Sequence, residues 1–114
     1  MLNRRKSKSS WKQHINQVAY KLIPNEPRIN VHNTLEHELA KCIWCYNLKK
    51  AGKICYCELI LKNGGRLDLF IPELETGYEF LCSETIEQFN KKRTKYPEEW
   101  NIIPLKVDEV IKDG

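Results

Sequence analysis

Several absences narrow what this chain can be. No apolar run approaches the length of a membrane span and nothing reads as a secretory signal, so no membrane partner is expected and the protein is expected in the cytoplasm. There is no glycine-rich phosphate loop, because Gly64-Gly65 belongs to a turn. No serine or cysteine hydrolase motif is visible, and no internal repeat. What remains, at 114 residues with 41% hydrophobic and 30% charged side chains, is one soluble globular domain with a modest core.

Charge is unevenly spread. Residues 1–33 hold seven basic side chains, among them Arg4, Arg5, Lys6, Lys8 and Lys12, against the single acid Glu26. The remainder is slightly acidic. Residues 1–12 therefore read as a flexible basic arm that cannot bury enough surface to order itself, and residues 13–114 as the folded domain. A basic arm on a near-neutral body points to a polyanionic partner, with nucleic acid the first expectation and a solvated tail the bland alternative.

Five cysteines, an odd number, are many for this length. Without an export signal a disulfide framework is not expected. Cys42-x₂-Cys45 and Cys55-x-Cys57, with Cys82, could instead make a zinc or iron–sulfur module. The competing reading is that cysteine serves as a small hydrophobe, since the first pair falls mid-helix and the second on a strand. His14, His32 and His37 are scattered and read as surface or capping residues.

Periodicity predicts a first helix over about Trp11–Leu22, ended by Pro24 and Pro27. Asn33 or Thr34 caps a second, which runs to about Lys50 and stops at Gly52, with Leu35, Leu39, Cys42, Ile43 and Tyr46 as its inner stripe. Strands follow at Ile54–Leu61, Arg66–Ile71 and Tyr78–Cys82, the first two joined by the turn Lys62-Asn63-Gly64-Gly65. Ser83 caps a helix over about Glu84–Lys95, Asn101–Val107 is the last strand, and a short tail or helical turn ends the chain. A helical crossover makes the last two strands parallel, which gives a mixed α/β sheet with helices packed on it.

Two acids interrupt apolar strands. Strict alternation puts Leu67, Leu69 and Ile71 on one face with Arg66, Asp68 and Phe70 on the other, and sets Glu79 and Leu81 against Tyr78, Phe80 and Cys82. Asp68 and Glu79 then need partners, and a divalent cation is a good one. Glu36 and Glu38 begin the preceding helix, where either can face a sheet or simply complement the helix dipole.

The segments Thr34-Leu35-Glu36-His37-Glu38-Leu39, Lys49-Lys50-Ala51-Gly52-Lys53, Gly65-Arg66-Leu67-Asp68-Leu69 and Tyr78-Glu79-Phe80-Leu81 resemble the PD-(D/E)XK nuclease superfamily. The resemblance covers residues 34–107. It implies an α-β-β-β-α-β restriction-endonuclease-like core, here with an extra N-terminal helix, and Mg²⁺- or Mn²⁺-dependent cleavage of DNA phosphodiesters, often by a homodimer. It implies Asp68 and Glu79 as metal ligands and Glu36 or Glu38 as the helical acid. Leu81 departs from the motif, standing where a lysine is usual. Lys91 or Lys92 is expected to take over its role, or Gln88 to line the site; otherwise the domain binds nucleic acid without cutting it. Lys92, Arg93 and Lys95, with Arg4, Arg5, Lys6 and Lys8, are the expected phosphate contacts.

Overall fold

The computed structural model describes residues 11–16 and 22–113. The arm residues Arg4, Arg5, Lys6 and Lys8 lie outside them, as do Val18 and Ala19 of the expected first helix. Trp11–His14 forms a 3-10 turn, and Ile15 pairs with Leu61 as an isolated bridge. The expected extra helix therefore does not begin as one. Trp11 and Ile15 are both buried, and each is used as an anchor on the sheet rather than as one stripe of a helix.

The remaining elements are α1 (Leu35–Lys50), β1 (Tyr56–Ile60), β2 (Arg66–Ile71), β3 (Thr76–Leu81), α2 (Ile86–Arg93), β4 (Asn101–Lys106) and α3 (Val107–Asp113). They make a mixed α/β fold with one four-stranded sheet of order β1-β2-β3-β4. The β1–β2 and β2–β3 pairs are antiparallel, and β3–β4 is parallel across the α2 crossover. Gly64, at φ 90°, turns the chain between β1 and β2 in a conformation that favours glycine.

Two hydrophobic layers cover the sheet. On one side Trp11, Ile15, Phe89, Tyr96 and Trp100 pack on Leu59, Leu67, Leu81 and Ile102. On the other, α1 and α3 bring Ala40, Cys45, Val107 and Val110 against Cys57, Leu69, Ile71 and Phe80. Strict alternation therefore fails on two strands. Leu67 lies in the first layer while Leu69 and Ile71 lie in the second. In the same way Leu59 and Leu61 separate from Cys55 and Cys57. Both reversals fall where the β1–β2 register skips Glu58 and Asp68, and Glu58 sits at a left-handed φ of 54°. A non-glycine residue in that region bends its strand and re-aims the side chains beyond it.

The expected inner stripe of α1 is overturned. Leu35, Leu39 and Tyr46 are exposed, and the buried face carries His37, Glu38, Ala40, Lys41 and Cys45. The polar side turns inward because each of those charges finds an opposite charge on the sheet or on the helix itself. Thr34 is the cap, its hydroxyl accepting the His37 N–H at 3.1 Å, and Gly52 ends the helix at φ 76°. On α2 the cap is Thr85 rather than Ser83.

Gly77 sits where β3 crosses the first layer, and a Cβ there would meet Leu67 Cδ2 at 2.6 Å and Ile102 Cδ1 at 3.0 Å. Both are buried side chains with little room to yield. Gly77→Ala is expected to destabilise the fold by about 1–3 kcal/mol, measured by urea denaturation. An unchanged midpoint would mean that this layer is looser than its packing.

Candidate functional site

The polar face of α1 meets the bend in β1 and β2, where five side chains form one chain of ion pairs, Glu58–Lys41–Glu38–His37–Asp68, with Glu79–Lys92 as a second pair beside it. Lys41 is fully buried and holds Glu38 Oε1 at 2.7 Å, Glu58 Oε2 at 3.1 Å and the Arg28 carbonyl at 2.8 Å. His37 bridges Glu38 Oε2 at 3.0 Å and Asp68 Oδ2 at 3.1 Å. Glu79, only 2% exposed, pairs with Lys92 at 3.0 Å.

The two strand acids are tied to each other through the backbone. Asp68 N–H donates to Glu79 Oε2 at 3.0 Å, and Phe80 N–H donates to Asp68 Oδ2 at 2.8 Å. The β2–β3 register stops at Leu69–Tyr78, so these side chains take the place of ladder bonds where the strands part. That gap explains why two carboxylates sit inside apolar strands without disrupting them.

The pairing sets the protonation states. Burial alone would pull His37 down, but the hydrogen bond and charge of Asp68, then those of Glu38, hold it up at about 9, so both ring nitrogens donate at neutral pH. Burial would raise Glu38; the Lys41 ammonium, the Asn30 N–H, the Asn33 amide and His37 hold it down at about 2. Glu79 goes the other way, to about 7, through burial and the neighbouring Asp68 charge, which Lys92 offsets only in part. Burial also lifts the Tyr96 hydroxyl, as do the charges of Glu79 and Asp68, and that hydroxyl donates to the Arg66 carbonyl.

Above the network opens a cleft of about 220 Å³, walled by His37, Glu58, Arg66, Asp68, Lys92 and Lys95 among others. Asp68 reaches it with a 13% exposed side chain, and among the described residues Oδ1 has no hydrogen bond or ion pair. Glu79 lies behind Lys92, beneath the wall.

Of the expected site residues, Asp68, Glu79 and Glu38 come together. Glu36 is exposed on the first turn of α1, so of the two helix acids it is Glu38 that joins the network. Lys92 rather than Lys91 faces Glu79; Lys91 is exposed. Gln88 is spent in a capping box with Thr85. Leu81 packs in the core layer, and Arg93 donates to the Pro97 and Trp100 carbonyls, which ties down the α2–β4 connection. Lys95 remains on the cleft.

Glu58, Lys41 and His37 were missed as site residues. Glu58 carried the same signal as Asp68, a charge inside an apolar strand. His37, expected at the surface or in a cap, is instead the buried link between Glu38 and Asp68.

Among the described residues no three carboxylate or imidazole donors come within 4.8 Å of one another, whereas the sulfurs of Cys45, Cys55 and Cys57 do. Mg²⁺ is commonly held by one or two carboxylates with waters and substrate phosphates, so Asp68 and Glu79 suffice in kind. No family model, curated protein or solved structure matches this chain. Among the described residues no helix is long and apolar enough to cross a membrane.

Lys41→Met is expected to cost about 3–5 kcal/mol by urea denaturation at neutral pH, because it leaves Glu38 and Glu58 buried and uncompensated. A loss under 1 kcal/mol would mean the pair is solvated. In chelating buffer, the stability held by Glu38 is present above 4.5 and lost as pH falls toward about 2. That held by His37 is full below 6.5 and lost as pH rises through about 9, while ionising Glu79 costs stability as pH rises from 4.5 through about 7. The urea midpoint should therefore peak near 4.5 and fall above it, and His37→Gln should flatten the limb above 6.5. A midpoint still rising above pH 7 would contradict this assignment.

Proposed function

We propose that the protein is a divergent PD-(D/E)XK-type nuclease that hydrolyses DNA phosphodiesters in the cytoplasm with Mg²⁺ or Mn²⁺. The observation that carries this reading is the break between β2 and β3, where Glu79 accepts the Asp68 N–H and Asp68 accepts the Phe80 N–H beside a polar cleft, with the Lys92 ammonium 3.0 Å from Glu79. Lys92 supplies from α2 the cation that Leu81 cannot supply from β3.

In this reading Asp68 and Glu79 hold the metal, and a hard cation there would polarise a phosphoryl oxygen and acidify water. Asp68 Oδ1 is the donor already facing the cleft. His37, protonated at neutral pH, donates to Oδ2 and fixes the carboxylate's orientation. Lys92 is half exposed and sits where it can turn toward a phosphate and offset charge that develops during in-line attack. Arg66 and Lys95 on the rim would contact the backbone, and the arm residues Arg4, Arg5, Lys6 and Lys8 would add affinity without reading sequence. Pairing of two copies would lengthen the small footprint of one domain on duplex DNA.

The opposing reading, a domain that binds DNA without cutting it, is favoured by one observation. Glu38, Asp68 and Glu79 each already hold a protein cation.

Cleavage of duplex, single-stranded and junction DNA separates the two. Metal-dependent cutting that disappears in Asp68→Asn and falls roughly 10²–10³-fold in Lys92→Met, with both variants folded by circular dichroism, is the expected result. Salt-sensitive binding with no cleavage of any substrate would establish the binding domain instead.

A further inference from the structure

We propose that Cys45, Cys55 and Cys57 form a three-sulfur site for one soft, thiophilic metal ion of the copper(I) class, fastening α1 to β1. This site is separate from the carboxylate cleft and does not depend on the nuclease reading.

The three sulfurs come from three pieces of backbone: mid-α1, the segment before β1, and β1 itself. They lie within 4.8 Å of one another, with Cys45 and Cys55 at 3.9 Å. Sulfurs about 4 Å apart around a common point lie about 2.3 Å from it, which is a metal–thiolate bond length. The turn that closes α1 onto β1 is fixed by three backbone hydrogen bonds, Ala51 to Asn47, Gly52 to Lys49 and Lys53 to Leu48, so the register of the sulfurs is set before any ion arrives.

Burial selects the ion. The three residues are 3%, 0% and 3% exposed, inside a layer of Ala40, Leu69, Ile71 and Phe80. A zinc ion completes four ligands, and an iron–sulfur cluster takes four cysteines. Cys42 lies outside the group, and Cys82 is at the surface beside Thr34. Thiolates suit copper(I), and three of them with no place for a water fit an ion of low coordination number.

The surroundings also suit a thiolate set. The Asn25 amide donates to Cys55 Sγ at 3.5 Å and to the Lys53 carbonyl at 3.0 Å, while the Asn25 N–H holds the Cys55 carbonyl at 2.8 Å. Such an outer partner orients a ligand and favours its charged form. Each thiol that becomes a ligand releases its proton to solvent, and no change of oxidation state is required.

The test is anaerobic titration of the full chain with copper(I) against a chromophoric chelator, and with zinc(II) alone in parallel. One copper per chain is expected, with X-ray absorption reporting sulfur ligands only and a higher Tm for the loaded protein. Cys42→Ser and Cys82→Ser should bind as the parent does. Cys55→Ala should lose the site, and Asn25→Gly, which tolerates the left-handed φ of 57° there, should weaken it roughly 10–100-fold. The wild-type absorption spectrum keeps the proposal testable if Cys55→Ala does not fold. Copper bound through nitrogen or oxygen, zinc bound one-to-one only when Cys42 is present, or no uptake of either ion would each overturn it.

Discussion

Lys41 is an ammonium with no exposed surface, and the rest of the domain is arranged to make that tolerable. Taking the charge out of water costs several kcal/mol, and only close, well-directed carboxylates offset it. Glu38 comes from the same helix three residues earlier, and Glu58 comes from β1. To deliver Glu58, β1 adopts a left-handed residue, and the strand then changes which side of the sheet its apolar residues serve. The polar face of α1, the bend in the sheet and the cleft follow from that one requirement. Replacing a buried ion triad with apolar residues of similar volume is often neutral in other proteins, but here it would remove the reason for the bend.

Much of the fold was legible in the sequence because local chemistry agreed with the final structure. The Asn63-Gly64-Gly65 turn, the Gly52 stop and the α2 crossover each follow from few residues, and with them the antiparallel β1–β2 hairpin and the parallel β3–β4 pair. The inner face of α1 was not legible. Hydrophobic periodicity assigns Leu35, Leu39 and Tyr46 to the core, and no signal local to the helix says that Glu58 and Asp68 will arrive to neutralise Lys41 and His37. A helix that buries its charges is defined by partners 17 and 31 residues away. The face switch at Glu58 and Asp68 failed for a related reason: alternation assumes an unbroken pleat, and both strands break at the same paired position.

The site divides in the same way. Asp68 and Glu79 stood out because a charge in an apolar strand needs an explanation, and the same test applied to Glu58 would have found it. Lys92 could be proposed but not separated from Lys91, since adjacent residues on a short helix differ by 100° and only the sheet decides which one looks inward. The cysteines show the opposite error. Spacing grouped Cys42 with Cys45, whereas the helix sends them to different neighbours and Cys45 meets Cys55 and Cys57 across the turn.

Charge balance connects this architecture to the proposed chemistry. Four acids, Glu38, Glu58, Asp68 and Glu79, face three internal cations, His37, Lys41 and Lys92, with Arg66 at 3.7 Å from Glu58 on the rim. Glu38 and Glu58 share the deeply buried Lys41, and His37 and Arg66 offset the second carboxylate. The outer end is different. Glu79 is held near 7 by burial and by Asp68, so at neutral pH it is divided between its two protonation states. Among the described residues its one close cation is Lys92, on a half-exposed side chain. In the proposed reading Asp68 and Glu79 would hold the ion, and Lys92, on its half-exposed side chain, would be the cation able to turn toward a phosphate. Charge at the inner end holds the fold together. At the outer end it is less tightly committed, which is what the proposed metal-assisted chemistry would use.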